Sequence, residues 1–439
     1  MQRPPRFSGA AAVGAPAAAS TSEGPPGAGD TAAVVVPGKG NAPVKRFVRG
    51  AIPLELLQDP ELAEDLRVLP RAYNFEMHKV IHQVRSTRAS CVGLQFPEGL
   101  LLFALAVADI LEKHTGAGTL ILGDVCYGAC CVGDAQARAH GCDMLVHFGH
   151  SCLVPQSRAS LNVLYVFVEV KIHVGHMVES VAACMDDGTD GSRDVVLAGT
   201  VQFVSAVHQA RALLEARGFR VTVPQAKPLS PGEVLGCTSP RLDAKAHTLV
   251  FVADGRFHME AVMIRNPWLK RCVKYDPYNR VLTRESYDYD GLLASRASAI
   301  QRAQAAQKWV VVQGSLGRQG NPDVVDRCAD WLGRAGKRVE VRVLREITPD
   351  TLRSWTDVEA VCEVACPRLA LDWGDNFDLP IVTPYELSVV LGKNELVGGA
   401  EAGYPMDYYE ASAGEWGGAY RPRPAGDTPE TKVAAEATT

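Results

Sequence analysis

The 439-residue chain contains no apolar run near the roughly 18–20 residues that a membrane helix needs, so no helical span is expected. It has no excess of positive charge either. Lys and Arg number 45 against 50 Asp and Glu, a formal net charge of −5, which gives no electrostatic case for gripping bare nucleic acid. A secretory leader is not expected, because the Ala-rich stretch Ala10–Ala19 is broken by Gly14 and Pro16 and makes a poor apolar core for one. Twelve cysteines are present, yet none stands in a C-x-x-C pair, the spacing common in structural zinc sites. In a reducing cytoplasm, the expected location, such thiols are buried apolar residues or ligands rather than disulfides.

What is present suits a large soluble α/β protein. About half the residues (47%) are apolar and 22% charged, and this length can bury the cores of two to four domains. Residues 1–44 and 411–439 are rich in small residues, Pro and Gly. They offer too little apolar surface to repay ordering, so both are expected to be disordered.

Between these tails a unit recurs. Strand-like Cys91–Gln95 leads into a helix with apolar positions Leu101, Leu105, Ala108 and Leu111, then Gly116 and Gly118, then strand Thr119–Leu122. The second copy runs from Val195–Thr200 through Phe203, Val207, Ala210 and Leu214 to Gly218 and Phe219–Val223. The third runs from Trp309–Val312 through Val325, Cys328 and Leu332 to Gly336 and Arg338–Leu344. Strand, turn, helix, glycine, strand is the pattern of a right-handed parallel crossover. Val163–Val170 has the composition of a buried parallel strand. The expected fold is three related Rossmann-like parallel-sheet domains in pseudo-threefold arrangement, over residues 45–170, 171–300 and 301–410.

Each domain carries one cysteine in a turn-prone stretch beside a strand: Cys130, Cys237 and Cys366. A single such thiol is ordinarily a core residue. Three at matching places would converge if the domains share a rough threefold axis, since ligands collect beyond the carboxyl ends of parallel strands. Three thiolates at one point suit a [4Fe-4S] cluster with one iron left open to a small molecule. Cys126, Cys130 and Cys131 lie close together, but their spacing fits neither a zinc pair nor a C-x-x-x-C-x-x-C cluster loop. Cys126 and Cys131 have no counterpart in the other copies. His147 and His150, near Cys152, admit a zinc site without a fourth ligand in view, or plain loop packing.

Long stretches resemble the diphthamide synthase 3-amino-3-carboxypropyl transferase family, in its catalytic first subunit. They include Gly123–Cys131, His147–Leu153, Lys227–Ser239, Asp254–His258, Gly317–Gly320 and Ala365–Leu369. The resemblance implies an unconventional radical enzyme with a [4Fe-4S] cluster on Cys130, Cys237 and Cys366 and S-adenosylmethionine as co-substrate. It implies a histidine of translation elongation factor two as acceptor, in the first step of diphthamide formation. It also implies a heterodimer with a paralogous second subunit, and electrons from a small metal-bearing redox protein and its reductase.

Other candidates come from position alone. Arg318, within Gly317–Gly320, could grip the carboxylate of S-adenosylmethionine, with Gln319 and Gly320 close by. Asp254, Arg256 and His258 end a strand at the ligand-binding edge, and His258 could accept the substrate proton. Gln202 follows the first strand of the second domain. The aromatic turns Tyr275–Tyr278 and Tyr404–Tyr409 could face a partner. Two rival readings are a cluster-bearing dehydratase of the quinolinate-synthase type and a metal-stabilised scaffold without catalysis.

Overall fold

A computed structural model describes residues 52–124, 126–154, 156–185, 193–399, 402–407, 409–410 and 413–418. Within them the chain builds three mainly parallel sheets. The first holds Cys91–Gln95, Gly118–Ile121, Met144–Phe148 and Asn162–Val166, all parallel. The second holds Asp194–Gly199, Arg220–Thr222, Thr248–Val252 and Arg271–Asp276, with Val281–Glu285 added antiparallel at its edge. The third holds Lys308–Gly314, Arg338–Leu344, Ala360–Val364 and Ile381–Val382. In each, the first strand lies between the second and third, and the fourth lies beyond the third. The same connectivity is therefore used three times.

The helices after each opening strand are Ala104–Thr115, Val204–Glu215 and Pro322–Arg334. The chain leaves all three near a positive-φ glycine, Gly116, Gly218 or Gly336, before the second strand. The expected apolar faces of the second and third helices are buried, with Phe203, Val207, Ala210, Leu214, Cys328 and Leu332 fully covered. The first face is corrected. Leu101 and Leu105 point to solvent, 40% and 72% exposed, while Val107, Ala108, Ile110 and Leu111 face the core. Leu105 stands in the same α-helix as Ala108 and Leu111 but roughly 120° round from the buried arc of Ala104, Val107 and Leu111, at about 100° per residue. Leu101 lies in the 3₁₀ turn Glu98–Phe103 ahead of it.

Val163–Val170 is likewise not one strand. Parallel pairing stops at Val166, and Val168 takes a left-handed φ of 54°. Glu169–Val170 then pairs antiparallel with Tyr73–Asn74. A β-branched residue is costly in that conformation, and Val168 is held in it by near-complete burial.

The sheets do not share one core equally. A continuous apolar core runs from Val196, Leu249 and Phe251 of the second sheet to Trp309, Val311 and Cys362 of the third. The first sheet is packed on its own two faces. A small cluster of Ala129, Leu153, Leu229 and Leu235, flanked by Cys130 and Tyr409, joins it to the second. Helix Tyr289–Gln304 reaches over to the third sheet through Arg296. That guanidinium is fully buried and meets both oxygens of Glu386, at 2.7 and 2.8 Å, and the carbonyls of Ala370 and Ile381. The expectations for residues 1–44 and most of 411–439 fall outside the described residues; Ala413 and Trp416, within the second range, are buried against the third-sheet core.

Candidate functional site

The three cysteines sit in connections that follow strands, but these connections are not equivalent. Cys130 and Cys237 lie between the second and third strands of their sheets, whereas Cys366 follows the third strand of its own. The expectation of matching places is corrected by one connection. Convergence survives because the carboxyl ends of neighbouring parallel strands share one sheet edge.

Each turn is held differently. Cys366 comes two residues after strand Ala360–Val364 and is the N-cap residue of helix Pro367–Trp373, with Pro367 setting the helical entry. The Cys237 turn is pinned to the opening strand of its own sheet. Gly199 N–H donates to the Gly232 carbonyl (2.8 Å) and Val234 N–H to that of Gly199 (3.1 Å); Leu235 N–H then donates to the Thr238 carbonyl. The Cys130 turn is held from the third sheet, where Arg318 N–H donates to the Cys130 carbonyl at 2.7 Å. Gly317 (φ 54°) packs there so closely that an added Cβ would lie 2.5 Å from Cys131 Cα.

Arg368 ties the second corner to the third. Two residues beyond Cys366, it donates to the Gly236 carbonyl (3.1 Å), next to Cys237, and to the Phe257 carbonyl (2.9 Å). It also pairs with Glu260 (2.6 Å) and Asp372 (2.9 Å) and lies over the Phe257 ring. Only 3% exposed, it makes charge-assisted contacts from an almost dry position, where such bonds are strong.

The thiols of Cys130, Cys237 and Cys366 each lie within electrostatic reach of the others. Burial pushes the Cys237 thiol well up and that of Cys366 to about 11. Cys130 is raised first by its hydrogen bond with Cys131, then by burial and the other two cysteines. Cys131 is the first of that pair to ionise, drawn down to about 7 chiefly by Cys130. Without a cationic partner the three convergent sulfurs are neutral thiols; a bound metal centre would draw off their protons. Their sulfurs are spaced too widely for one ion. Among the described residues, the His/Cys/Asp/Glu group with ligand atoms all within 4.8 Å is a different one, Cys126, His147 and His150.

Of the positional candidates, Arg318 and Gln319 reach the Cys130 turn. Arg318 forks onto the buried Asp134 carboxylate at 3.0 and 2.5 Å, and Gln319 Nε2 approaches Cys131 Sγ at 3.6 Å. Gly320 packs on the Gly314 carbonyl. His258 stands beside His150 and Arg368; burial first, then the Arg368 charge, brings it down to about 4, so its ring is neutral at pH 7. Asp254 caps its own loop through Gly255 N–H. Arg256 is engaged by Glu260, Glu285 and the Ser286 carbonyl. Gln202, half-buried in turn Val201–Phe203, stands at the same edge of the second sheet.

Sequence reasoning missed Tyr409 and Asp407. The Tyr409 hydroxyl is held well above its usual range, by burial and then by Cys130, Cys237 and Cys366 around it. Asp407 is pushed up to about 6 by burial and lies near Cys237 and Thr238. The aromatic stretch from Tyr404 was expected at a surface. Instead Tyr404 is fully buried, with its hydroxyl donating to Glu386 at 2.5 Å. The signal was the aromatic stretch itself, of which Tyr409 reaches the cysteines. Tyr275 of the other aromatic turn is also buried, bonded to His176. Buried hydroxyls of Ser151, Thr200 and Ser239, all just past strand ends or cysteine turns, have no partner, and such groups call for a polar ligand.

Residues 96–400 match the family described as "Putative diphthamide synthesis protein". The chain is 45% identical to the Homo sapiens protein named 2-(3-amino-3-carboxypropyl)histidine synthase subunit 1, covering 87% of this chain and 85% of that one. It is 45% identical to the Aspergillus fumigatus protein of the same name, over 82% and 80%. Among solved structures it is similar to Dph2 from Pyrococcus horikoshii, with TM-score 0.62 and 25% identity over 76% of this chain and 96% of that one. A second structure of that protein, with a 4Fe-4S cluster, gives 0.61 and 26% over the same shares. The chain belongs to the diphthamide-synthesis family, among the transferases that form 2-(3-amino-3-carboxypropyl)histidine.

Proposed function

We propose that this chain transfers the 3-amino-3-carboxypropyl group of S-adenosylmethionine to a histidine of translation elongation factor two, the first step of diphthamide formation. The observation that carries this reading is the meeting of three half-buried thiols from three sheets. Their donor set fits a [4Fe-4S] cluster held by Cys130, Cys237 and Cys366, and a family neighbour solved with such a cluster supports it. When bound, that group supplies the electron for radical cleavage of a carbon–sulfur bond in S-adenosylmethionine.

The protein's own part is positioning and exclusion of water. Tyr409 and Asp407 close one side of the thiol group. Asp134 holds Arg318 at the edge of the Cys130 turn, where its partly exposed guanidinium is available to the donor's carboxylate. The partnerless hydroxyls of Ser151, Thr200 and Ser239 offer polar contacts to an incoming ligand. His258, beside His150 and Arg368, is the candidate to take the proton lost from the acceptor imidazole. Leu101, Leu102 and Leu105, exposed together on one helical face, suit a paralogous second subunit. The working unit is a cytoplasmic heterodimer fed by a small metal-bearing redox protein and its reductase.

The test is anaerobic incubation of iron-reconstituted protein with its partner subunit, elongation factor, a reductant and carboxypropyl-labelled S-adenosylmethionine. Label on a histidine of the factor is expected. Turnover without reductant or sulfonium donor would instead indicate Lewis-acid dehydratase chemistry.

A further inference from the structure

Beside the three cysteines lies a second constellation that the transfer reaction does not use. Cys126, His147 and His150 each offer a ligand atom, and these atoms all lie within 4.8 Å of one another. Cys126 is 4% exposed and His147 fully buried, while His150 is half-buried. Cys126 belongs to the loop that carries Cys130; the histidines stand at the end of strand Met144–Phe148.

The hydrogen bonds around His147 fix its tautomer. Gln95 donates through Nε2 to the Cys131 carbonyl at 2.7 Å and accepts at Oε1 from Gly133 N–H at 3.0 Å, so its amide orientation is set. That same Oε1 lies 2.8 Å from His147 Nδ1. An oxygen can only accept, so Nδ1 carries the hydrogen and Nε2 presents a lone pair. Nε2 is buried and has no partner. An imidazole that donates from one nitrogen to a fixed oxygen and offers the other is how protein metal sites orient histidine ligands.

The spacing suits one ion. Cys126 Sγ is 3.7 Å from His150 Nδ1, close to the roughly 3.6 Å edge implied by zinc–sulfur and zinc–nitrogen bonds at tetrahedral angles. The two imidazole centroids are 5.3 Å apart, near the roughly 5 Å expected of two histidines on one tetrahedral centre. The competing contacts of the thiol are weak, to the Gly128 and Cys131 carbonyls at 3.7 and 4.0 Å.

We propose that Cys126, His147 and His150 form a second metal site, for a zinc-class divalent ion, with a fourth position open to water. One thiolate and two imidazoles suit zinc better than a hard cation. Uptake releases the Cys126 thiol proton and leaves His147 in the tautomer it already has. The ion fastens the loop bearing Cys130 to the strand end of the first sheet. The site does not depend on the cluster assignment, since it shares no ligand with Cys130, Cys237 and Cys366.

The test is zinc K-edge absorption on the full-length, cluster-loaded protein after one equivalent of zinc is added and the excess removed by gel filtration. Iron does not interfere at that edge. About one zinc per chain is expected, with one sulfur at about 2.3 Å and nitrogen or oxygen at about 2.0–2.1 Å. Cys126→Ala should lose the sulfur signal and most of the zinc, and Cys130→Ala should keep both. Absence of retained zinc in the wild-type protein overturns the proposal, and so does a centre with two or more sulfurs, which would place zinc on the other cysteines. The wild-type spectrum decides the matter even if Cys126→Ala fails to fold.

Discussion

The turns around Cys366 and Cys130 place chemically identical groups by opposite means. Cys366 follows its strand after a single residue and caps the next helix, so local backbone geometry aims it. Cys130 sits in a long excursion between strands Gly118–Ile121 and Met144–Phe148, gripped from another sheet by Gly317 and Arg318. Cys237 is intermediate, bridged to Gly199 of its own sheet and touched by Arg368 from the third. The junctions follow the same order. The second and third sheets share a continuous core, whereas the first meets the second through a few side chains near the site. A corner aimed locally should tolerate distant changes, and one held from outside should not.

The largest effect is expected where the corners meet. Replacing Cys130, Cys237 or Cys366 singly with Ala should bring methylthioadenosine formation to background in the reductant-dependent assay. Normal activity in any one would remove that corner from the comparison.

Arg368→Ala comes next. It leaves Glu260 and Asp372 without their buried cation, and breaking such a pair costs about 3–5 kcal/mol. Denaturant melts should show the loss, and Arg368→Lys should recover only part of it, because one ammonium cannot replace the forked contacts to both carbonyls and both acids.

Gly317→Ala should cost about 1–3 kcal/mol, since its Cβ would press on the Cys131 backbone in a left-handed conformation. Iron retained after reconstitution should fall more than the melting temperature does, because the change displaces the Cys130 turn. An equal fall at a locally aimed corner, tested with Leu369→Ala, would erase the contrast.

The smallest effect concerns Glu233, in the Cys237 loop, whose carboxyl burial pushes up to about 7 from 4.5. The folded state therefore keeps a proton that the unfolded chain releases between pH 4.5 and 7, and stability falls as pH rises through that window. Glu233→Gln should raise the melting temperature at pH 8, by about 1–2 kcal/mol of added stability, and change little at pH 4. Equal gains at both pH values would contradict this account.

Much was legible because it is periodic. The opening strands, the faces of two helices and the glycines before the second strands follow from alternation and 3.6-residue spacing, which local sterics enforce. Leu101 and Leu105 were misassigned because their spacing to Ala108 also fits a helical stripe, and which of two overlapping stripes is buried is decided by the packing beneath the helix. The place of Cys366 was misjudged because the third strand, Ala360–Val364, precedes it and two apolar strands look alike out of context. The His147–His150 pair was legible, but the thiol beside it is Cys126 and not the nearby Cys152; like Tyr409, that residue comes from another segment, which spacing cannot show.

The sequence by itself determined three crossover units, their apolar interiors and one marked cysteine in each, because these depend on residues within a turn or two of one another. Only the tertiary structure decided that the thiols meet, that Arg368 bridges two corners and Gly317 a third, and that a histidine lone pair is stranded beside them. Those outcomes rest on burial and hydrogen bonds between segments far apart in the chain, which sum over the whole fold and leave no local pattern behind.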